Sequence, residues 1–194
     1  MRIAGVDEAG RGPLAGPVVA AAVVLPEGYL NQEITDSKKL SAKKRDILFE
    51  AITKNALSYS IVCVGHHRID QLNIREATRV AMKLAVRRVK AEKALIDGNV
   101  PIEIDIPQET VIGGDRLHQE ISAASILAKV WRDRLMKCLD LKYPGYGLAD
   151  HAGYPTKKHK EAIELIGPSK IHRKTFRGVK EFIQKDGLSK ASNW

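Results

Sequence analysis

The chain has 194 residues, of which 44% are hydrophobic and 28% charged, the length and balance of one soluble domain with a sizeable core. No apolar run approaches the roughly 18 residues a bilayer span requires, and the opening MRIAGVDEAG lacks the apolar stretch of a signal peptide, so a cytoplasmic protein without membrane attachment is expected. Lys and Arg number 32 against 23 Asp and Glu, and the formal charge of +9 is the footprint of a protein that meets a polyanion.

In chain order, RIAGVDE reads as a first strand and GPVVAAAVVLP, after a glycine turn, as a second. SAKKRDILFEAITKN reads as a helix capped by Ser41, with Ile47, Leu48, Ala51 and Ile52 as its apolar face. SYSIVCVGH is a third strand, and His66 and His67 read as loop residues. NIREATRVAMKLAVRRVK is a helix capped by Asn73, whose Arg75, Arg79, Lys83 and Arg87 form a basic stripe opposite Ile74, Ala77, Ala81 and Leu84. The stripe is either a solvated face or a track for phosphates. KALIDGN is a short strand ending at Asp97, and IPQETVIGGD brings another to Asp115. EISAASILAKVWRDRLMK is a helix burying Ile121, Ala124, Ala128, Trp131 and Leu135, in which ion pairing accounts for Asp133. Near Lys142 the composition turns rich in Gly, Pro and Tyr, and a helix capped by Thr156 and stopped by Gly167-Pro168 follows. Cys63 and Cys138 sit in apolar contexts and match no metal spacing, so both are expected to be buried free thiols. This order points to a single α/β domain over 1–194, with a mixed-sheet core to about residue 140 and a helical extension from about 141.

Asp7, Glu8, Asp97 and Asp115 all lie where apolar β sequence gives way to glycine. In open α/β sheets such strand ends gather at one edge, where sites form. Taken singly, a strand-end Asp is more often a turn or cap residue. Neighbouring strand residues also point to opposite faces, so Asp7 and Glu8 share a site only where the strand bends or ends. Four converging carboxylates would repel one another strongly, and a divalent cation is their natural complement, with oxygen ligands selecting Mg²⁺ or Mn²⁺ over zinc.

The blocks GVDEAGRGPLAGPVVAAAV, TDSKKLS, LIDGN, GGD…EISAASILAKVWRD, YPGYGLADHAGYPTKKH and GPSKIHRKTF, in this order, resemble bacterial ribonuclease HII across nearly the whole chain. The resemblance implies a ribonuclease H-like fold, with helices flanking the mixed sheet, and a substrate-binding C-terminal extension. It implies Mn²⁺- or Mg²⁺-dependent cleavage, with one or two ions, of RNA in RNA–DNA hybrids. It also implies cleavage 5′ to single ribonucleotides in duplex DNA, leaving 3′-hydroxyl and 5′-phosphate ends. On the same ground Asp7, Glu8, Asp97 and Asp115 become the catalytic, metal-binding carboxylates. Gly10, Arg11 and Gly12 become the loop that reads the ribose 2′-hydroxyl, Tyr154 the stacking residue at the RNA–DNA junction, and Lys38 and Lys39 phosphate contacts.

Two positions depart from the pattern: Gly113 stands where lysine is usual and Lys170 where proline is common. The chain ends SKASNW without a sliding-clamp peptide, and a monomer is expected. Two other functions would share part of this pattern. A hybrid-binding module without activity has no use for clustered acids, and a structure-specific DNA nuclease has no use for a 2′-hydroxyl reader.

Overall fold

Alternation of small apolar residues with Gly5 and Asp7 makes the first strand, β1 (Ile3–Ala9), two-faced, and both of its faces are covered. The computed structural model describes residues 1–35, 37 and 39–184. Lys38 and the chain end on which the absence of a clamp peptide was judged lie outside these residues. β1 pairs antiparallel with β2 (Val18–Val24), which pairs antiparallel with β3 (Ser58–Val64). On its other side β1 runs parallel to β4 (Lys93–Asp97), and β4 parallel to β5 (Gln108–Val111), giving a mixed sheet in the order β3-β2-β1-β4-β5. This is the expected α/β architecture.

One face of the sheet packs Ala4, Val6, Val18, Ala20 and Ile96 against α3 (Ile74–Val89), and the other packs Val19, Ala21 and Val23 against α1 (Ala42–Asn55) and α4 (Gln119–Lys142). At Gly5 the start of α4 presses directly on the strand: a Cβ there would stand 2.0 Å from the Glu120 carbonyl carbon. A third apolar cluster joins Leu14, Ala15 and Met136 to Leu148 of α5 (Leu148–His151), Ile163 of α6 (Lys157–Ile166) and Ile171, which seats the C-terminal segment on α4 and the loop after β1. Ser41, Asn73 and Thr156 cap their helices as expected, each side chain accepting from the backbone three residues on. Among the described residues no helix is long and apolar enough to cross a membrane.

Several expectations are corrected. His66 and His67 open a short helix, α2 (His66–Leu72), rather than a loop. Phe49 takes the buried place assigned to Ile47, which is 53% exposed, and Leu84 is exposed as well. In α4 Trp131 is 44% exposed and Leu135 only half-buried, while Arg132 and Met136 are buried, because the helix runs off the sheet and turns another side to the C-terminal segment. Cys63 and Cys138 are free, as expected, but exposed. Cys63 occupies an outward position on β3, at the edge of the sheet.

Candidate active site

The register of the two central parallel strands sets Val6 beside Ile96, and so places Asp7 and Asp97 one step further at adjacent strand ends. Asp7 shares its side of β1 with Gly5 and lies under α4, whose Ser125 hydroxyl stands near enough to oppose the rise of its carboxyl. Glu8 turns to the opposite side, towards Arg75 and Arg79 of α3. Because the strand ends at Ala9, the Glu8 carboxylate still lines the same cleft as Asp7 and Asp97. That cleft, of about 250 Å³, also takes in Gly10, Arg11, Gly12, Ser37, Ser125, Lys129 and Tyr154. A larger cleft of about 410 Å³ shares its Lys129 and Tyr154 wall and runs on past Arg45, Arg134 and Lys137.

The electrostatics are those of anions held together. Burial, then the neighbouring Glu8 and Asp97 charges, push the Asp7 carboxyl well above the usual range, against the opposing Ser125 hydroxyl and Glu8 amide. Burial also raises Glu8, while the Arg11 guanidinium at 3.3 Å pulls it back. The Gly114 amide donates to Asp97 Oδ1 at 2.8 Å and ties it to the next segment.

Asp115 does not end a strand. β5 stops at Val111, and Asp115 lies in a 3₁₀ turn over Gly114–Arg116, buried, with its carbonyl accepting from Ser122 of α4. The neighbouring Gly114, whose amide holds Asp97, ties the Asp115 turn to the end of β4. Among the described residues no three His, Cys, Asp or Glu side chains form a ready metal cage. Gly113 has φ +66°, a left-handed conformation that a lysine adopts only under strain, so glycine there suits this turn.

The ring of Tyr154 lies 3.5 Å from where a Gly12 Cβ would stand and lines the cleft beside that loop. Lys39 is exposed on its loop and does not line the cleft. The loop's buried Ser37 is fixed by a bond to Ser125 at 2.9 Å, and Arg45 holds its carbonyl. Lys129 pairs with Asp133 at 2.8 Å, which accounts for that acid as expected. The stripe on α3 is matched locally: Arg79, Lys83 and Arg87 pair with Glu76, Glu103 and Asp105.

Sequence reasoning missed Ser125, Ser37 and two fully buried arginines, Arg132 and Arg173, which stand behind the loop. Arg132 bonds the carbonyls of Ala15, Pro17 and Ala152, and Arg173 those of Gly10, Arg11 and Gly16.

The ribonuclease HII family model matches residues 4–179. A ribonuclease HII from Syntrophotalea carbinolica is 50% identical over 184 residues, covering 94% of this chain and 88% of that protein. Among solved structures, ribonuclease H2 from Pyrococcus horikoshii superposes with a TM-score of 0.81 at 27% identity, covering 95% of this chain and 98% of that one. The RNase HII of a PCNA:RNase HII complex from Archaeoglobus fulgidus gives 0.79 at 25%, covering 91% and 96%. Bst-RNase HIII in complex with Mn²⁺ gives 0.71 at 15% identity, covering 95% and 70%, and shares the fold.

Proposed function

The chain belongs to the ribonuclease HII family and is an endoribonuclease, and we propose that it cleaves RNA in RNA–DNA hybrids and 5′ to single ribonucleotides in duplex DNA. One observation carries this reading: the carboxylates of Asp7, Glu8 and Asp97 share a single cleft with the Gly10–Gly12 backbone and Tyr154. A purely binding module has no reason to hold buried, mutually repelling acids. A nuclease for all-DNA structures has no reason to place exposed glycine backbone beside them.

The donor set fits a hard divalent cation, since it offers only oxygen and its buried anions oppose one another. Asp7, Glu8, Asp97 and Asp115 would hold one or two Mg²⁺ or Mn²⁺ ions. When bound, such ions supply charge neutralisation at the phosphate and a water activated for attack on phosphorus. The chain's own groups do the positioning. Ser125 and the Glu8 amide orient Asp7, and the Gly114 amide orients Asp97. Gly10 to Gly12 let the ribose approach the backbone, and Tyr154 packs against the neighbouring sugar. Lys38 and Lys39 are proposed as phosphate contacts on the family resemblance of their sequence block alone. The 2′-hydroxyl serves recognition and is not the nucleophile.

The test is end-group mapping on a duplex with one embedded ribonucleotide. We expect a single divalent-dependent cut on its 5′ side, a 3′-hydroxyl, a 5′-phosphate and no 2′,3′-cyclic phosphate. A cyclic end, or equal cutting of duplex without ribose, would overturn the reading.

A further inference from the structure

Arg173, in the C-terminal segment, reaches across the molecule to the loop after β1. Its Nη2 donates to the Gly10 carbonyl at 2.6 Å, its Nη1 to the Arg11 carbonyl at 2.8 Å, and its Nε to the Gly16 carbonyl at 3.0 Å. These acceptors lie as many as 163 positions away in sequence. The side chain is fully buried, and a guanidinium's planar fork suits it to hold several carbonyls at once.

Direction follows from peptide geometry. In a trans peptide the carbonyl of one residue is antiparallel to the N–H of the next, and among the described residues no peptide bond is cis. Drawing the Gly10 and Arg11 carbonyls inward therefore turns the Arg11 and Gly12 amides outward, on the side where these two exposed residues line the cleft. Among the described residues, neither amide donates to a protein acceptor. Gly10 makes the arrangement possible. Its φ is +92°, and a Cβ there would lie 1.9 Å from Arg132 Nε, so no side chain fits between the loop and the arginines.

We infer that Arg173 is a positioning residue for ribose recognition: by holding the Gly10 and Arg11 carbonyls, it presents the Arg11 and Gly12 N–H groups as preformed donors to a 2′-hydroxyl oxygen. The inference rests on the proposed reading of this loop as the ribose reader. It adds that the C-terminal segment contributes to discrimination between sugars without touching the substrate.

The experiment compares binding of a duplex with one ribonucleotide and the same duplex with deoxyribose at that position. It is run in Ca²⁺ with cleavage checked to be absent, for wild type and Arg173→Lys. Lysine keeps the charge but cannot hold three carbonyls. Wild type should prefer the ribose duplex by about tenfold, the equivalent of a preorganised hydrogen bond. Arg173→Lys should lose most of that preference while its affinity for the all-deoxy duplex stays within about twofold, a split that general loosening of the fold would not give. If wild type shows no preference, the loop reading falls and the inference with it. If wild type discriminates and Arg173→Lys discriminates equally, the inference alone falls, as it does if the variant loses both duplexes alike. Should Arg173→Lys fail to fold, ¹⁵N-labelled wild type decides. The Arg11 and Gly12 amide resonances must respond to the ribose duplex and not to its deoxy counterpart, and an equal response to both overturns the proposal.

Discussion

Asp7, on the wall of the cleft, and Arg132, behind its loop, are both buried charges, and the fold treats them in opposite ways. The Arg132 guanidinium meets three backbone carbonyls at 2.9–3.2 Å, so its desolvation is offset by acceptors that never leave. Arg173 is treated likewise. Burial and the nearby Arg132 lower its guanidinium to about 9, which leaves it a cation at neutral pH. Asp7 instead has two further carboxylates for neighbours, and only a hydroxyl and an amide to oppose them. A buried charge saturated by backbone partners serves the architecture. A buried charge left among its own kind waits for a ligand, and perturbed acids of this sort mark functional sites.

Removing the unmatched charge is the sharpest way to break this comparison. Asp7→Asn should cut cleavage by about a thousandfold or more, equivalent to roughly 4 kcal/mol of transition-state stabilisation. Without divalent ions the same variant should be the more stable protein, by roughly 1–2 kcal/mol or about 2–6 °C in melting temperature at pH 7. The sign follows from the raised carboxyl. A folded-state value above the unfolded one means that ionisation opposes folding at neutral pH, and this cost vanishes below about pH 4, where both states are protonated. Melting curves in EDTA at pH 7 and pH 4 check it. A variant less stable at pH 7 would show that Asp7 is matched after all.

Arg132→Met should do the reverse, keeping the apolar stem and deleting the donors. It strands the carbonyls of Ala15, Pro17 and Ala152, and a loss of about 3 kcal/mol is expected, at least 6 °C in melting temperature. Little or no loss would mean that the carbonyls find water, and the contrast with Asp7 would then rest on solvent access instead.

The two halves of this contrast were unequally legible in the sequence. The acids could be read because the signal is local: apolar β sequence running into glycine at Asp7 and Asp97, with helix caps nearby. Asp115 was harder to place, since β5 ends four residues earlier and a 3₁₀ turn carries the acid. The arginines gave almost no signal. Arg132 stands one turn from Ala128 and one from Met136, on what proves a buried stripe, but its partners lie 115 and 117 positions away and are backbone atoms. Apolar spacing favoured Trp131 and Leu135, because periodicity reports that a helix has a covered side and not which distant segment covers it. The exposed Cys63 shows the same limit on an edge strand, where apolar neighbours do not reveal the outward face.

A third buried polar group sharpens the comparison with the smallest effect, because it is matched only while neutral. His159 and His172 face each other Nε2 to Nε2 at 3.1 Å, packed by Tyr146 and by the stacked ring of His151. Their other partners fix the tautomers. His159 Nδ1 lies 2.9 Å from the Tyr154 carbonyl, so it must donate, while His172 Nδ1 accepts from the Ser169 amide at 2.9 Å. His172 Nε2–H therefore donates to His159 Nε2, and every ring nitrogen is satisfied. A proton added to His159 would set two N–H groups against each other, and one added to His172 Nδ1 would face the Ser169 amide. Burial, then His159, lowers His172 to about 4, and burial lowers His159 too. Values below the unfolded one near 6.5 mean that the stability is fully present above about pH 6.5 and drains away as pH falls towards 4. At pH 5.5 the loss through His172 should be about 1 kcal/mol, or 2–4 °C in melting temperature relative to pH 7.5. His172→Gln keeps a donor for His159 Nε2 but cannot titrate, so its melting temperature should fall less over the same interval. Equal slopes for the two proteins would place the acid sensitivity elsewhere. A smaller slope for the variant would tie it to the pair that seats α6 beside the segment carrying Arg173, and an acid pH would then loosen the matched support behind the cleft's loop before the unmatched acids on its wall.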